Sequence, residues 1–327
     1  AAAASAVAPV AGGGEGSDGL PPLAFEEVSW CEAKGAFMLL VRVHCEDTAP
    51  HQVVHISALV QWSERIRSLA LKQIMHVSLD DLKKQNLAIL ATEYVVEIKG
   101  KDVGVMHALR VETAVEFPGC PLMPWDMKMY AEDGSLYATG LFGLNLCSIK
   151  DNGEYAGVTE DKYVSYSSQF QRFKRSSGSF SGSKLRLYYG VSAQGAPFRP
   201  TKKHVGSYTV KSTDCDMYNV LFQARVPAMM ESVHARGGAV SYYVNIRNSL
   251  RPGDGLEVHV FSTEDAALFI CLKDGIAALA AFGKFGTRRP VYQEEIKCGS
   301  FRLPLLLRYI TQGTKPPPND DVDLSDI

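Results

Sequence analysis

Most of the residues whose types could do chemistry gather at two strand-to-helix junctions. At the second, Asp214-Cys215-Asp216 leads through Met217-Tyr218-Asn219 into an apolar-periodic stretch that begins at Val220. A carboxylate placed just before a helix meets free backbone N–H groups and the positive end of the helix dipole. Together they can polarise a carbonyl while the carboxylate attacks it or activates water. The same position suits a simple N-terminal cap, so Asp216 has a structural use that needs no reaction. Cys215 has no neighbouring base to lower its thiol pKa and reads as a strand-end core residue. His51 and His55 near the first junction, and His204 and His234 near the second, lack the ordered Ser or Asp partners of a triad. The seven cysteines are scattered, without a C-x-x-C pair or a His at zinc spacing. That spacing points to a reducing compartment and to no structural metal.

The elements that must position these residues follow from periodicity. Alternating, β-branched and aromatic stretches at Ala36–Cys45, Ala88–Ile98, Val103–Glu116, Leu122–Tyr130 and Leu136–Leu146 read as strands. One stretch at Val53–Leu71 carries an apolar stripe at helical spacing. Between residues 153 and 203 the texture turns to Ser, Gly, Tyr and basic residues, as in an inter-domain linker. Its basic centre, residues 169–189, is a weak candidate for RNA contact. The first pattern then restarts with a strand at Val205–Ser212, a helix at Val220–Ala235 and strands at Val240–Ile246, Leu256–Phe261, Ala266–Lys273 and Gly275–Phe285.

The restart keeps register. Asp47 falls on Asp214 at an offset of 167 (214 − 47), and the same offset carries Val43 onto Val210 and Glu64 onto Glu231. The length of 327 residues also suits two domains. Charged residues make up 21%, with 34 basic against 36 acidic, a balance that argues against bulk nucleic-acid binding. The longest apolar runs fall short of a membrane span. The organisation expected is a low-complexity tail at 1–30, domain one at 31–150, a linker at 151–203, domain two at 204–286 and an extension at 287–327. The uncharged start reads as a loose tail or as the terminus left after an organellar presequence, in the mitochondrial matrix before the plastid.

The segment Asp214-Cys215-Asp216-Met217-Tyr218-Asn219-Val220-Leu221-Phe222 resembles the signature turn of the 4-hydroxybenzoyl-CoA thioesterase family. Copy one is similar to the bacterial acyl-CoA thioesterases of that family in Glu46-Asp47-Thr48, Val53-Val54-His55 and Ser63-Glu64-Arg65, and the Arg251-Pro252-Gly253-Asp254 turn also fits. The resemblance implies an α+β chain of two tandem hotdog domains, each an antiparallel sheet wrapping one long helix, paired as an intramolecular pseudo-dimer. It also implies the site. Asp216 takes the acidic role, the backbone N–H groups of Asn219 and Val220 hold the developing oxyanion, and Met217, Tyr218 and Phe222 line the substrate tunnel. Asn219 stands where the family prefers Gly, and the counterpart of Asp216 in copy one is Ala49, so one site at most would work. Some hotdog enzymes use an acid on the helix, which makes Glu64 and Glu231 fallback candidates. An ion pair with Arg65 or Arg67 in copy one, or with Arg225 or Arg236 in copy two, is the plainer expectation for them.

Two functions are open at this point. One is hydrolysis of an acyl-CoA or acyl-carrier-protein thioester at Asp216, with no cofactor beyond the CoA or pantetheine of the substrate. The other is a non-catalytic subunit of a large organellar assembly, such as a mitochondrial ribosome or a respiratory complex, held by other protein chains. A fold alone does not decide between them.

Overall fold

A computed structural model describes residues 27–48, 54–100, 103–115, 122–151, 154–168, 173, 200–234 and 238–285. The expectations for the N-terminal tail, for most of the 169–189 stretch, for residues 287–327, and for Ala49, His51 and Arg236 lie outside the described residues.

Copy one runs β1 (Ser29–Cys31), β2 (Ala36–Arg42), α1 (Ile56–Leu69), α2 (Leu79–Lys84), β3 (Leu87–Ile98), β4 (Ala108–Val115), β5 (Leu122–Tyr130) and β6 (Leu136–Ile149). Next come β7 (Tyr155–Gly157) and α3 (Glu160–Ser168). Copy two runs β8 (Lys202–Thr209), α4 (Arg225–His234), β9 (Ala239–Ile246), β10 (Gly255–Ser262), β11 (Ala266–Lys273) and β12 (Ile276–Phe285). The expected order of one strand, one helix and four strands therefore holds in each copy, with β1, α2, β7 and α3 added to copy one. The segment expected to be bare linker thus contributes a strand and a helix. β7 pairs with β6, and the Phe173 ring beyond α3 packs against Trp30 and Phe37, at 5.3 and 5.6 Å between centroids.

All strands join one antiparallel sheet in the order β1-β2-β4-β5-β6-β3-β9-β12-β11-β10-β8, with β7 against β6. Copy two repeats the order of copy one in reverse, so the halves meet through like strands, β3 against β9, from Glu93↔Asn245 to Glu97↔Ser241. Each copy lays one helix across its sheet. In α1, Ile56, Leu59, Val60, Ser63, Ile66 and Arg67 are buried at three- and four-residue spacing. In α4 the buried face is Val226, Pro227, Met229 and Met230. The two helices touch each other, and a single core runs through both copies.

The repeat extends to individual hydrogen bonds. His44 N–H donates to Asp47 Oδ2 and Lys211 N–H to Asp214 Oδ2. The His55 amide reaches the Asp47 carbonyl and the Phe222 amide the Asp214 carbonyl. The bridge Thr48↔Val54 recurs as Cys215↔Leu221. These bonds hold Val54 and Leu221 extended, so both helices start later than periodicity suggests: α1 at Ile56 and not Val53, α4 at Arg225 and not Val220. Pro227 fits this start, because a proline belongs to a first helical turn, where its missing N–H has no partner to serve.

The last strand of each copy also repeats a short motif, Gly140-Leu141-Phe142-Gly143 and Gly283-Lys284-Phe285-Gly286. The first glycine of each is required by close packing. A Cβ on Gly283 would stand 2.8 Å from the Tyr242 ring, and one on Gly140 would stand 2.6 Å from Met127 Cε and 2.9 Å from the Phe142 ring. The rigid Tyr242 ring is fully buried. Gly283→Ala should therefore destabilise the protein by about 1–3 kcal/mol through overpacking, although alanine is otherwise the better strand residue. The check is a lower urea midpoint at unchanged slope; an unchanged midpoint would show that Tyr242 moves aside freely.

Candidate active site

The Asp216–Val220 turn closes on itself. Asp216 N–H donates to the Val220 carbonyl and Asn219 N–H to the Asp216 carbonyl, each at 2.9 Å. Asp216 Oδ1 accepts the Tyr218 amide at 2.8 Å and the Val220 amide at 3.4 Å. Oδ2 has no partner among the described residues. Burial raises the Asp216 carboxyl above the usual range, the Tyr218 and Val220 amides pull it back, and the charge of Glu64 pushes it up again. Asn219 has φ +59°, in the left-handed region that asparagine tolerates better than most residues. Glycine would adopt the same backbone conformation without strain.

Two expectations are corrected here. The amides of Asn219 and Val220 already serve the turn, so they are not the free N–H groups of a helix end. The amides that open α4 without an acceptor among the described residues are those of Gln223 and Ala224, the counterparts of Ile56 and Ser57 in α1. The free amides thus lie about one helical turn beyond Asn219 and Val220, because bridge pairing keeps Leu221 and Phe222 extended.

Asp216 lines a cleft of about 920 Å³ between the copies, together with Tyr218, Phe222 and Gln223 of copy two and Glu64, Leu71 and Ile89 of copy one. Met217 also lines it but is 48% exposed. A register shift in β3 at Ala91/Glu93 places Thr92 on the wall, where Asn145 Nδ2 donates to its hydroxyl. Bulges of this kind re-aim side chains beside sites. Tyr155 of β7 donates its hydroxyl to the Tyr218 carbonyl at 3.0 Å, which brings the former linker into the site.

Glu64 crosses from the helix of copy one to the turn of copy two. Its Oε2 accepts from Arg67 Nη2 at 2.6 Å and from Gln223 Nε2 at 2.7 Å, and its Oε1 accepts from Ser68 Oγ at 2.9 Å. The expected ion pair exists, and its partner is Arg67. That guanidinium is 1% exposed and lies over the Phe142 ring, 4.3 Å from its centroid. Gln223 is held a second time through its carbonyl, which accepts the Tyr94 hydroxyl at 2.9 Å.

Glu231, at the equivalent position on α4, does not line this cleft. Burial pushes its carboxyl up to about 7, and no ion pair with Arg225 or another cation reaches it among the described residues. Asp216 and Glu64 are therefore the pair that the structure brings together. Cys215 is half-buried, with its thiol held above the ordinary range by burial and the nearby carboxylates, which is the reverse of an activated nucleophile. His204 and His234 stack on each other at 5.9 Å, and His204 Nε2 lies 3.4 Å from the Val233 carbonyl. No group of three or more metal-ligating residues occurs among the described residues, and no described helix is long and apolar enough to cross a membrane.

No protein-family model matches the chain, and no curated protein matches it. Solved structures do. An acyl-ACP thioesterase from Bacteroides thetaiotaomicron matches 78% of this chain and 100% of its own, with a TM-score of 0.58 at 10% identity. The 12:0-ACP thioesterase from Umbellularia californica matches 76% of this chain and 96% of its own, with a TM-score of 0.60 at 11% identity. A putative oleoyl thioesterase from Lactobacillus plantarum matches 77% and 97%, with a TM-score of 0.59 at 10% identity. At such identities the likeness is one of fold, and the fold is that of the hotdog thioesterases.

Proposed function

We infer that the chain is an acyl-thioester hydrolase with one working site, built as a pseudo-dimer of two hotdog copies and acting on an acyl chain carried by acyl carrier protein or CoA. The observation that carries this reading is the Asp216 carboxylate. One of its oxygens is fixed by two amides, the other is unpaired, and the group faces a cleft at the amino end of α4. Asp216 acts as general base. A water held by Oδ2 gives it a proton and attacks the thioester carbonyl carbon. The free amides of Gln223 and Ala224 hold the oxyanion, the C–S bond breaks, and the leaving sulfur recovers the proton. Asp216 serves better as a base than as a nucleophile because two N–H donors spread its charge. Glu64 positions Gln223, and Tyr218 and Phe222 bound the substrate. No cofactor enters beyond the pantetheine of the substrate.

The test is a pair of variants. Asp216→Asn keeps an oxygen for the Tyr218 and Val220 amides but has no basic oxygen, so kcat/KM should fall by about a hundredfold or more while the protein stays folded. Asp216→Ala should lose activity and also loosen the turn. Equal activity in Asp216→Asn and wild type would overturn the reading. Because the base must be ionised, and because its pKa is raised, activity should fall with decreasing pH at a midpoint above that of an ordinary aspartate. Heavy-oxygen water in a single turnover should label the released acid and leave Asp216 unlabelled.

One observation favours a second reading, a non-catalytic subunit of a large organellar assembly. Glu64 is fully occupied as a brace between the copies, which serves assembly without any reaction. On that reading the native chain sediments with a large particle and the fractions holding it show no hydrolysis. A small species with activity would exclude it.

A further inference from the structure

Gln223 and Tyr218 both line the cleft, and each carries a buried polar atom, Oε1 and Oη, without a partner among the described residues. Gln223 is 5% exposed and held at two points. Its Nε2 donates to Glu64 Oε2 at 2.7 Å, and its carbonyl accepts the Tyr94 hydroxyl. A carboxylate only accepts, so the amide nitrogen must be the end that faces Glu64, and Oε1 is left as a free acceptor. Tyr218 is held through its backbone, with its amide on Asp216 Oδ1 and its carbonyl accepting the Tyr155 hydroxyl. Burial first, then charges that include those of Asp216 and Glu64, push its phenol up to about 12, so the hydroxyl keeps its proton. A buried polar atom without a partner is costly, and most such atoms have one.

Position narrows what could serve these atoms. Gln223 stands at the start of α4, beside the amides assigned to the thioester carbonyl, while Leu71, Ile89 and Leu144 supply apolar wall to the same cleft. The lining residues Met217 and Ile276 are exposed and mark its mouth. A glutamine side chain reaches only a short way from its own amide, so the group it serves lies a few bonds from the carbonyl. We propose that the cleft takes 3-hydroxyacyl thioesters, with Gln223 Oε1 accepting the proton of the substrate hydroxyl and Tyr218 Oη donating to its oxygen. The inference rests on the reading of the cleft as an acyl-thioester site. A hydroxyl both donates and accepts, so it answers both atoms at once; a methylene answers neither, and a ketone answers only the phenol. An anionic group in the same place would meet the charges of Glu64 and Asp216.

The test separates recognition from hydrolysis. N-acetylcysteamine thioesters of octanoic acid and of each enantiomer of 3-hydroxyoctanoic acid are titrated calorimetrically into the full chain carrying Asp216→Asn. One enantiomer should bind about tenfold more tightly than the unsubstituted thioester, because the acceptor stands on one wall only. Gln223→Met removes the acceptor, and Gln223→Lys removes it while keeping a donor for Glu64. Added to Asp216→Asn, either should bring that ratio down to about one, and Tyr218→Phe should lower it about threefold. Thermal unfolding confirms that each variant is folded. A ratio near one in the Asp216→Asn protein overturns the proposal and assigns Oε1 to the amide N–H that all three ligands share. The full ratio kept in a folded Gln223 variant or in Tyr218→Phe also overturns it. A preference in a protein whose Asp216 form hydrolyses none of the three upholds the subsite and refutes the hydrolase. Hydrolysis of all three at equal kcat/KM, with no preference in binding, does the reverse.

Discussion

A guanidinium cannot be left alone in a core, and the arrangement of the site follows from how this chain answers that constraint. Arg67 is buried on the inner face of α1, over the Phe142 ring. Stripping water from such a charge costs several kcal/mol unless a partner is supplied, and Glu64, one helical turn away, supplies it. Bonding to Arg67 aims the Glu64 carboxylate across the boundary between the copies, where it takes the Gln223 side chain. Tyr94 takes the Gln223 carbonyl from the same side. The start of α4 is therefore held by residues of copy one, and with it the turn that carries Asp216. Neither copy alone lines the whole cleft.

This dependence explains what could be read from the sequence and what could not. The strands were legible because alternation and β-branching act locally, and Ala266–Lys273 was placed to the residue. The offset of 167 was legible because the junctions repeat residue types, and the structure extends it to paired hydrogen bonds. The start of α4 was misplaced because Val220 and Leu221 fit a helical stripe, while Asp216 holds Val220 in the turn and Cys215 and the distant Leu250 carbonyl hold Leu221 extended. Pro227 carried the missed signal. The strand β7 and helix α3 were hidden in a segment whose composition reads as linker, yet Tyr163 is fully buried and Tyr166 partly so. The Gly-x-Phe-Gly motif of both last strands was a further sign of the repeat. The meeting of Glu64 with Asp216 depends on a pairing of copies that no local pattern encodes.

The copies differ beside their helical carboxylates. Arg67 corresponds to His234 at the shared offset, so α4 lacks the cation that would settle Glu231. Burial, offset only in part by the Ala239 amide, then raises the Glu231 carboxyl, whereas Glu64 stays engaged with three donors. Burial, helped by the charge of Glu231, holds the Tyr242 hydroxyl above its ordinary range, and Tyr242 is itself packed against Gly283. The paired strands β3 and β9 keep like partners, as symmetric assembly requires, while the residues above them have specialised.

Covalent linkage changes what the seam between β3 and β9 must achieve. Separate subunits meeting through five residue pairs would associate according to their abundance, with a loss of translational freedom at every encounter. Joined in one polypeptide, the halves see each other at an effective concentration set by the connecting chain, commonly in the millimolar range. Occupancy of the composite cleft is then independent of dilution. A scarce protein of this design keeps its two halves together at expression levels where a dissociable pair would fall apart.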